Sequence, residues 1–285
     1  MKGIIRVKKF KDYLVEGEKS QSTISKYLRD IKIYAEWIES EGIERPFSNG
    51  KMAKKVALGY KEYLTNSDLK TTSINNKLAS VNSYMACLGY DERVKYIKIQ
   101  KENFYSKNKE LTTREYRKLV EKARESGNER LALIIETMAS TGIRISELEY
   151  LTVEGLEKRK VQVYLKGKSR VVYLPMKLCV KLHEYVFNKG IESGPIFTTS
   201  RHIPINRRQV WREMKRTAEQ AEIDYGKVFP HNMRHVFAKS YYSQYHDIST
   251  LANILGHSSL ETTRIYISSS RENANEQIDA MEIIR

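Results

Sequence analysis

Four short stretches of the sequence combine basic side chains with histidine or glycine, and the last of them ends in a tyrosine. They are Thr141–Arg144, Lys166–Lys168, His231–His235 and Leu255–Tyr266. No cluster of acidic residues accompanies them that could hold a metal ion. Guanidinium groups match phosphate oxygens in shape and charge, so this set predicts phosphate chemistry with a phenolic nucleophile and with neither metal nor cofactor.

Tyr266 is the candidate nucleophile. A tyrosine hydroxyl has a pKa of about 10, so it needs a base to take its proton at neutral pH. His231 is the candidate base or proton relay. A departing alkoxide needs a proton in return, and Lys168, at the tip of a predicted hairpin, is the candidate acid.

Arg144 and Arg234 are the candidate clamp for the phosphate, because charge develops on its non-bridging oxygens during transfer. His257 is expected to donate a hydrogen bond to the same group. His231 and His235 stand four residues apart, a spacing that could ligate zinc on a helix. The intervening residues supply no glutamate and place Arg234 in the gap, which argues against a metal.

The chain has 285 residues and a formal charge of +15, from 50 Lys and Arg against 35 Asp and Glu. Residues 1–105 hold 20 basic and 13 acidic residues and the remainder holds 30 and 22, so both halves are basic. This balance favours a polyanionic partner, although a merely soluble basic protein would share it. Cys87 and Cys179 stand in apolar surroundings without CxxC spacing, which indicates a reducing cytoplasm. The sequence shows no signal peptide and no membrane span.

The first 92 residues predict a helical bundle. Apolar residues recur at helical spacing from Ile24 to Ile38, then over residues 51–64 and 71–88. The polar face of the third helix carries Asn75, Asn76, Lys77, Asn82 and Ser83, and such side chains can contact phosphates and base edges. Asn76 and Lys77 are therefore candidate DNA-binding residues, although a plain polar surface explains the pattern nearly as well.

Residues 93–109 are basic and lose the apolar stripe, which predicts an interdomain linker. A second domain is expected over residues 110–285. It starts at a capping box formed by Thr112 and Glu115 and continues through helices that end at Gly142. From Tyr150 to Pro175 the apolar period changes to two, which predicts a β-hairpin.

Helices resume after Pro175, and one over residues 206–221 carries a basic surface: Arg207, Arg208, Arg212, Lys215 and Arg216. Arg207 and Arg208 are the candidates for specific DNA contacts.

Taken together, these motifs resemble the tyrosine recombinase (phage-integrase-type) family. The resemblance lies in Thr141–Leu148, in the hairpin that runs from Lys166 through Arg170 to Pro175, in His231–His235, and in Leu255–His257 followed by Thr262–Tyr266. It covers nearly the whole chain and is looser over residues 1–90. The size is closest to the compact Xer-like members and to transposon resolvases and integrases of this class.

The resemblance implies a mainly α-helical protein with a small antiparallel β-sheet: an N-terminal core-binding bundle and an α+β catalytic domain that close around duplex DNA. Tyr266 would form a 3′-phosphotyrosyl link, and strand exchange would pass through a Holliday junction in a tetramer. A C-terminal helix is expected over residues 271–285, with an apolar stripe at Ile278, Met281 and Ile284 that must be buried in its own domain or in a neighbouring subunit. The resemblance implies the second, exchange of this helix between subunits. The implied setting is the cytoplasm, on DNA or the nucleoid, with accessory proteins as further partners.

Two departures and two alternatives stay open. The hairpin tip is one residue tighter than the common family form, so Lys166 is a second candidate for the acid. His235 is expected to have a supporting, structural role. The first alternative to a recombinase is a type IB topoisomerase-like enzyme, which uses the same kind of tyrosine nucleophile. The second, from another class, is a DNA-binding protein that has lost catalysis.

Overall fold

In the computed structural model of the chain, the described residues are 6–98, 110–165, 168–199, 201, 203–257, 259–264 and 266, and the side chains of Leu165 and Lys168 are not described. The chain divides into two compact units, residues 1–101 and 102–285. Both are built mainly from helices, and the described strands form one two-stranded antiparallel sheet. The predicted fold class is therefore confirmed. No described helix has the length and apolar character needed to cross a bilayer.

The first unit is a bundle of four described helices, each placed by a capping signal or an apolar stripe. Ser20 accepts the backbone N–H of Thr23 at 3.3 Å, and Asn49 accepts that of Met52 at 2.8 Å, so both side chains cap helices as their types predict. The core between the helices is rich in aromatic rings, including Tyr34 and Tyr60 with ring centroids 4.7 Å apart. The helices are α1 Val7–Glu16, α2 Gln21–Ser40, α3 Gly50–Thr65 and α4 Thr71–Cys87.

Two asparagines of α4 hold the segment that follows this bundle. The Asn82 side chain accepts the N–H of Val94 and donates to its carbonyl, both at 2.9 Å, and Asn75 does the same with Ile97. Each side-chain amide thereby donates to and accepts from one backbone residue, as a paired β-strand would. Residues 93–98, predicted as linker, therefore pack onto the first unit, and Asn75 and Asn82 are structural residues, not part of a DNA-reading face.

The second unit is organised around one apolar helix, α6, which contacts α5, α8, α9 and α10. The predicted capping box is present: Thr112 accepts the N–H of Glu115 at 3.1 Å, and Glu115 accepts the N–H of Thr112 at 2.8 Å. The elements are α5 Thr113–Glu125, α6 Glu129–Thr141, a 3₁₀ helix Ile145–Tyr150, α7 Val153–Glu157, β1 Lys160–Leu165, β2 Lys168–Tyr173, α8 Met176–Lys189, α9 Arg207–Gln220, α10 Pro230–Tyr245, α11 Ile248–Leu255 and α12 Leu260–Arg264.

The hairpin is present, but the period-two prediction from Tyr150 onward was wrong at its start. A short helix, α7, occupies Val153–Glu157, because Thr152 caps it by accepting the N–H of Gly155 at 3.2 Å. The strands then pair antiparallel, with Val163 opposite Arg170. The last described helix, α12, spans Leu260–Arg264. The tail helix predicted over residues 271–285 lies outside the described residues.

Candidate active site

Arg144 is positioned by the abrupt end of α6. Gly142 closes that helix in the left-handed conformation, with φ of 65°, and an added Cβ would stand 2.7 Å from the Phe237 ring. The chain then turns into the 3₁₀ helix, where the Arg144 backbone N–H donates to Glu147 at 2.8 Å and its guanidinium donates to the same carboxylate at 2.9 Å. The Arg144 side chain keeps about a third of its surface exposed, at 32%. It is therefore oriented by Glu147 and still reachable by a ligand.

Arg234 is the most deeply buried cation of the described site, with 2% of its surface exposed. Its guanidinium donates to the backbone carbonyls of Gly142 and Leu255, which lie at the C-terminal ends of α6 and α11. A third contact joins its Nη2 to Nε2 of His257 at 3.0 Å. Burial, followed by the charge of Arg144, lowers the pKa of Arg234 to about 10, so it stays protonated at neutral pH. It is a buried positive charge held in place by two backbone carbonyls.

His257 has both ring nitrogens engaged. Nε2 faces Arg234, and Nδ1 lies 2.8 Å from Oγ1 of Thr263. Burial and the nearby charges of Arg234 and Arg144, with smaller contributions beyond these, lower the pKa of His257 to about 4. The ring is therefore neutral at pH 7. In this structure Nε2 contacts Arg234, and donation of a hydrogen bond from His257 to phosphate stays a prediction.

Tyr266 packs against His235 and His257 and is 5% exposed. Its ring centroid lies 4.5 Å from that of His235, edge to face, and 6.1 Å from that of His257, stacked. Burial raises the pKa of Tyr266, and the charge and hydrogen bond of Arg234 oppose that rise. The hydroxyl is thus protonated at neutral pH and lies near the charge of Arg234.

The two histidines of α10 lie on the Tyr266 side. The His231 and His235 rings meet edge to face at 4.7 Å, so His235 contacts both His231 and the tyrosine. Burial and His231, Lys239 and Arg234 lower the pKa of His235 to about 3, which keeps it neutral. His231 is at an exposed position, yet the surrounding protein still desolvates its ring, and this effect with the charges of Arg234 and Arg144 lowers its pKa. A neutral, accessible imidazole can accept a proton.

Glu147 and Arg170 belong to the same cluster and were given no role from the sequence. Arg170, on β2, donates to Glu147 at 2.6 Å and to the carbonyl of Ile254 at 2.6 Å. Burial favours the neutral form of Glu147, but the backbone N–H of Arg144 and the charges of Arg170 and Arg144 outweigh it and lower the pKa. The spacing of Glu147 three residues after Arg144 was a usable signal. The partner of Arg170 is 23 residues away and could not be read locally.

The candidate acid is less defined. Lys168 opens β2, two residues before Arg170, so the strand that carries it is tied to the cluster. Its side chain, and the whole of Lys166, lie outside the described residues. Arg144, His231, Arg234, His257 and Tyr266 are brought together through the contacts and charges given above.

The candidate DNA-binding residues lie on both units. On α4, Asn76 is exposed and Lys77 is half-buried. On α9, Arg207 and Arg208 are exposed. Lys215 does not belong to the basic surface predicted on that helix: it is 8% exposed, its ammonium lies 3.8 Å from the Tyr225 ring centroid, and it donates to the carbonyl of the same residue. The aromatic contact explains why helical spacing alone misplaced it.

Within the described ranges, no group of three or more His, Cys, Asp or Glu side chains is placed to hold a metal ion. The arrangement that is present places the buried Tyr266 near the charges of Arg234 and Arg144. Glu147 binds Arg144 and Arg170 beside them. This arrangement can bind an anion and stabilise charge that develops on it.

Comparison with known proteins gives the same assignment over both units. Residues 109–273 match the profile of the phage integrase family, and residues 7–89 match that of the phage integrase N-terminal SAM-like domain. The chain is 26% identical to tyrosine recombinase XerA of Thermococcus kodakarensis, over 98% of this chain and 95% of the relative. It is 26% identical to the TnP I resolvase of Bacillus thuringiensis, over 91% and 93% of the two chains. A solved structure of the Tn1549 transposon integrase with transposon right-end DNA superposes with a TM-score of 0.69 at 18% identity, covering 98% of this chain and 99% of that one.

Proposed function

Because this chain belongs to the phage integrase family, we propose that it is a site-specific DNA recombinase whose nucleophile is Tyr266. The observation that carries the assignment of the nucleophile is the position of Tyr266: its buried ring stacks on His257, which contacts Arg234. A nucleophile and a phosphate-binding group must meet at the scissile phosphate, and in this chain His257 contacts both.

The chemistry requires two coupled proton transfers. Tyr266 attacks phosphorus, a bond forms between its oxygen and the phosphate, and its proton passes to His231. The bond from phosphorus to the 5′ oxygen breaks, and that oxygen takes a proton from the hairpin lysine, which we assign to Lys168. A 3′-phosphotyrosyl link and a free 5′-hydroxyl result. Attack by a 5′-hydroxyl from a partner strand reverses the same steps and joins new ends.

Arg144 and Arg234 stabilise the charge that develops on the non-bridging oxygens. Arg144 is the more accessible of the two, whereas Arg234 is fixed by two backbone carbonyls. His257, which contacts Arg234, donates a hydrogen bond to the same oxygens. The energy of the phosphoester bond is retained in the tyrosyl link, so rejoining needs no ATP.

The partner of this chain is double-stranded DNA that carries a specific recombination site. Exposed Arg207 and Arg208 on α9, and Asn76 and Lys77 on α4, are the side chains that we assign to DNA contact. Exchange of strands takes place in a tetramer through a Holliday junction, with accessory proteins in some settings, and the tail over residues 271–285 passes between subunits. The location is the cytoplasm, on DNA.

A library of nicked duplexes with randomised central sequence tests the assignment, because the nick lets the broken end diffuse away and traps the covalent adduct. The wild-type chain should form an adduct on a subset of sequences, and Tyr266→Phe should bind DNA and form none. Tyr242→Phe, a neighbouring partly buried tyrosine, is the matched control and should form the adduct normally. An adduct that survives Tyr266→Phe would overturn the proposal.

The selected site then separates recombination from its alternatives. A plasmid with two copies of the site should yield recombinant products, whereas a type IB topoisomerase-like enzyme would relax supercoiled plasmids without joining two sites. A chain that binds the library but traps nothing would be a DNA-binding protein that has lost catalysis.

A further inference from the structure

Two exposed aromatic rings lie together at α9, and the chemistry proposed above gives them no role. Trp211, on the helix, keeps 40% of its surface exposed, and Tyr225, in the loop that follows, keeps 53%. Their ring centroids are 6.1 Å apart and the ring planes stand at 90°. Exposed apolar surface that is contiguous, and not scattered singly, indicates an interaction site.

A buried cation holds the two rings in place. Lys215 is 8% exposed, and its ammonium lies 3.8 Å from the ring centroid of Tyr225 and 5.4 Å from that of Trp211. The same ammonium donates to the backbone carbonyl of Tyr225. Attraction between the ammonium and both rings fixes them relative to α9. Because the rings are ordered before a partner binds, less conformational entropy is lost on binding.

The charge around the rings favours DNA as that partner. Residues 207–216 contain five basic residues and one acidic residue, Glu213, which is ion-paired. Trp211 stands four residues after Arg207 and three after Arg208, so it is a neighbour of both exposed arginines on the helix surface. A duplex bound by these arginines would therefore also contact the indole ring.

An indole ring and an arginine recognise different groups on DNA. Phosphates and polar base edges suit guanidinium groups. In the major groove, which is wide enough to admit a helix, thymine also presents a methyl group at C5. Covering that methyl group removes apolar surface from water, and this contact is available to Trp211 but not to an arginine head group.

We propose that Trp211 contacts the 5-methyl group of a thymine in the recombination site, beside the contacts of Arg207 and Arg208, and that Tyr225 and Lys215 are positioning residues for its ring. The proposal rests on the function proposed above and deepens it. The arginines supply charge and hydrogen bonds, and Trp211 adds a preference that depends on one methyl group.

Uracil is the probe, because it differs from thymine only by that methyl group. A duplex that the wild-type chain cleaves is prepared with one thymine at a time replaced by uracil, and the affinity for each duplex is measured. At one or two positions the replacement should weaken wild-type binding by about threefold to tenfold, the value of one buried methyl group. Trp211→Ala should bind the thymine and uracil duplexes equally at those positions. Trp211→Phe, which keeps an apolar ring, should retain part of the difference.

Phe187→Ala is the matched control, because Phe187 is an exposed aromatic residue of α8, at 86%, outside the basic stretch of α9. It should show the full wild-type difference between thymine and uracil. The proposal is wrong if no replacement weakens wild-type binding, or if Trp211→Ala keeps the whole difference. Urea unfolding of Trp211→Ala checks its fold, and the Trp211→Phe result keeps the test valid if that variant is unstable.

A second measurement identifies the contact directly. 5-Iodouracil carries iodine in the place of the methyl group, and ultraviolet light links it to an adjacent aromatic ring. At the position selected above, the crosslinked peptide should contain Trp211, and a crosslink to any other residue would overturn the proposal. Lys215→Met keeps most of the side-chain stem without the ammonium and should lower the crosslink yield. An unchanged yield would show that Lys215 does not position the ring.

The two proposals fail in different ways. A wild-type chain that cleaves no duplex of the library contradicts the proposed function. A chain that forms the adduct but does not distinguish thymine from uracil contradicts only the role of Trp211.

Discussion

The guanidinium of Arg234 donates to the backbone carbonyl of Gly142, 92 residues earlier in the chain. A second bond joins it to Leu255, 21 residues later. The arginine that we assign to the phosphate clamp is thus also the side chain that satisfies carbonyl groups at two helix ends, which otherwise lack partners. Catalytic and structural effects of substitutions here must be separated by measuring both.

Arg234→Lys should lower both activity and stability. A lysine cannot donate to two carbonyls and a histidine in one plane, so the free energy of unfolding should fall by about 2–4 kcal/mol. Adduct formation should slow by about 10²–10³-fold. Urea unfolding and single-turnover cleavage measure the two effects.

Arg144→Lys is the contrasting variant, because the Arg144 side chain is 32% exposed and bonds one carboxylate. Cleavage should fall to a similar extent, while the free energy of unfolding changes by less than about 1 kcal/mol. Equal destabilisation by both variants would contradict the different placement of the two arginines.

Gly142→Ala should destabilise the second unit. The left-handed φ of 65° disfavours a side chain, and the added Cβ would lie 2.7 Å from Phe237 and 2.8 Å from Leu255. The free energy of unfolding should fall by about 2–4 kcal/mol. Gly127→Ala is the control, since Gly127 has φ of 71° but nothing within 4 Å, and it should cost only about 1 kcal/mol. Similar losses for the two would show that crowding at Gly142 is unimportant.

Arg170→Gln should reduce cleavage more than its effect on stability explains. The substitution removes the hydrogen bonds from Arg170 to the Glu147 carboxylate and to the Ile254 carbonyl. Glu147 then orients Arg144 less firmly, and β2 loses its contact with α11. Arg130→Gln is the matched control: Arg130 also joins a carboxylate, Glu213, to a carbonyl, that of Thr198. Both variants should lower thermal stability, and only Arg170→Gln should slow adduct formation, by about tenfold or more. Equal rates of adduct formation in the two variants would show that Arg170 has no specific role in the site.

Stability should fall as the pH drops below about 6.5. The pKa of His257 is about 4 and that of His235 about 3 in the folded chain, against about 6.5 when unfolded. Between those values the unfolded chain binds protons that the folded chain does not, so each histidine should remove about 1.4 kcal/mol of stability per pH unit. Above pH 6.5 their contribution is constant. Urea unfolding at pH 7, 6 and 5 measures the slope, which His257→Gln should reduce.

Binding to DNA should depend on Arg207 and Arg208. Replacing both with alanine should weaken binding and reduce the slope of log affinity against log salt by up to about 2, since each phosphate contact contributes about 0.9. Lys118→Ala with Lys122→Ala is the control, because those lysines lie beside Glu222 and Glu125. An equal change of slope in both double variants would indicate a nonspecific effect of net charge.

Local signals in the sequence predicted local structure well. Thr112 with Glu115 predicted the start of α5, Gly142 predicted the end of α6, and alternating valines predicted the hairpin. Each depends on residues within a few positions of one another. The helical content and the family followed from such signals read together.

What the sequence did not predict depends on partners far along the chain. From its position on α9, Lys215 is predicted to be a surface cation, but in the structure its ammonium lies over the ring of Tyr225. Asn82 is predicted to lie on a polar face of α4, but in the structure its side-chain amide oxygen accepts the N–H of Val94. The contacts of the two His257 ring nitrogens with Arg234 and Thr263 join residues that no local pattern connects. Helical periodicity assigns a side chain to a face, but it does not say what covers that face.

The two carbonyls that Arg234 binds have a consequence for when the site is aligned. A chain in which the end of α6 or α11 has frayed no longer presents a carbonyl to that guanidinium, and the guanidinium then has no fixed direction. Both helix ends must therefore be formed to align the phosphate clamp that we propose.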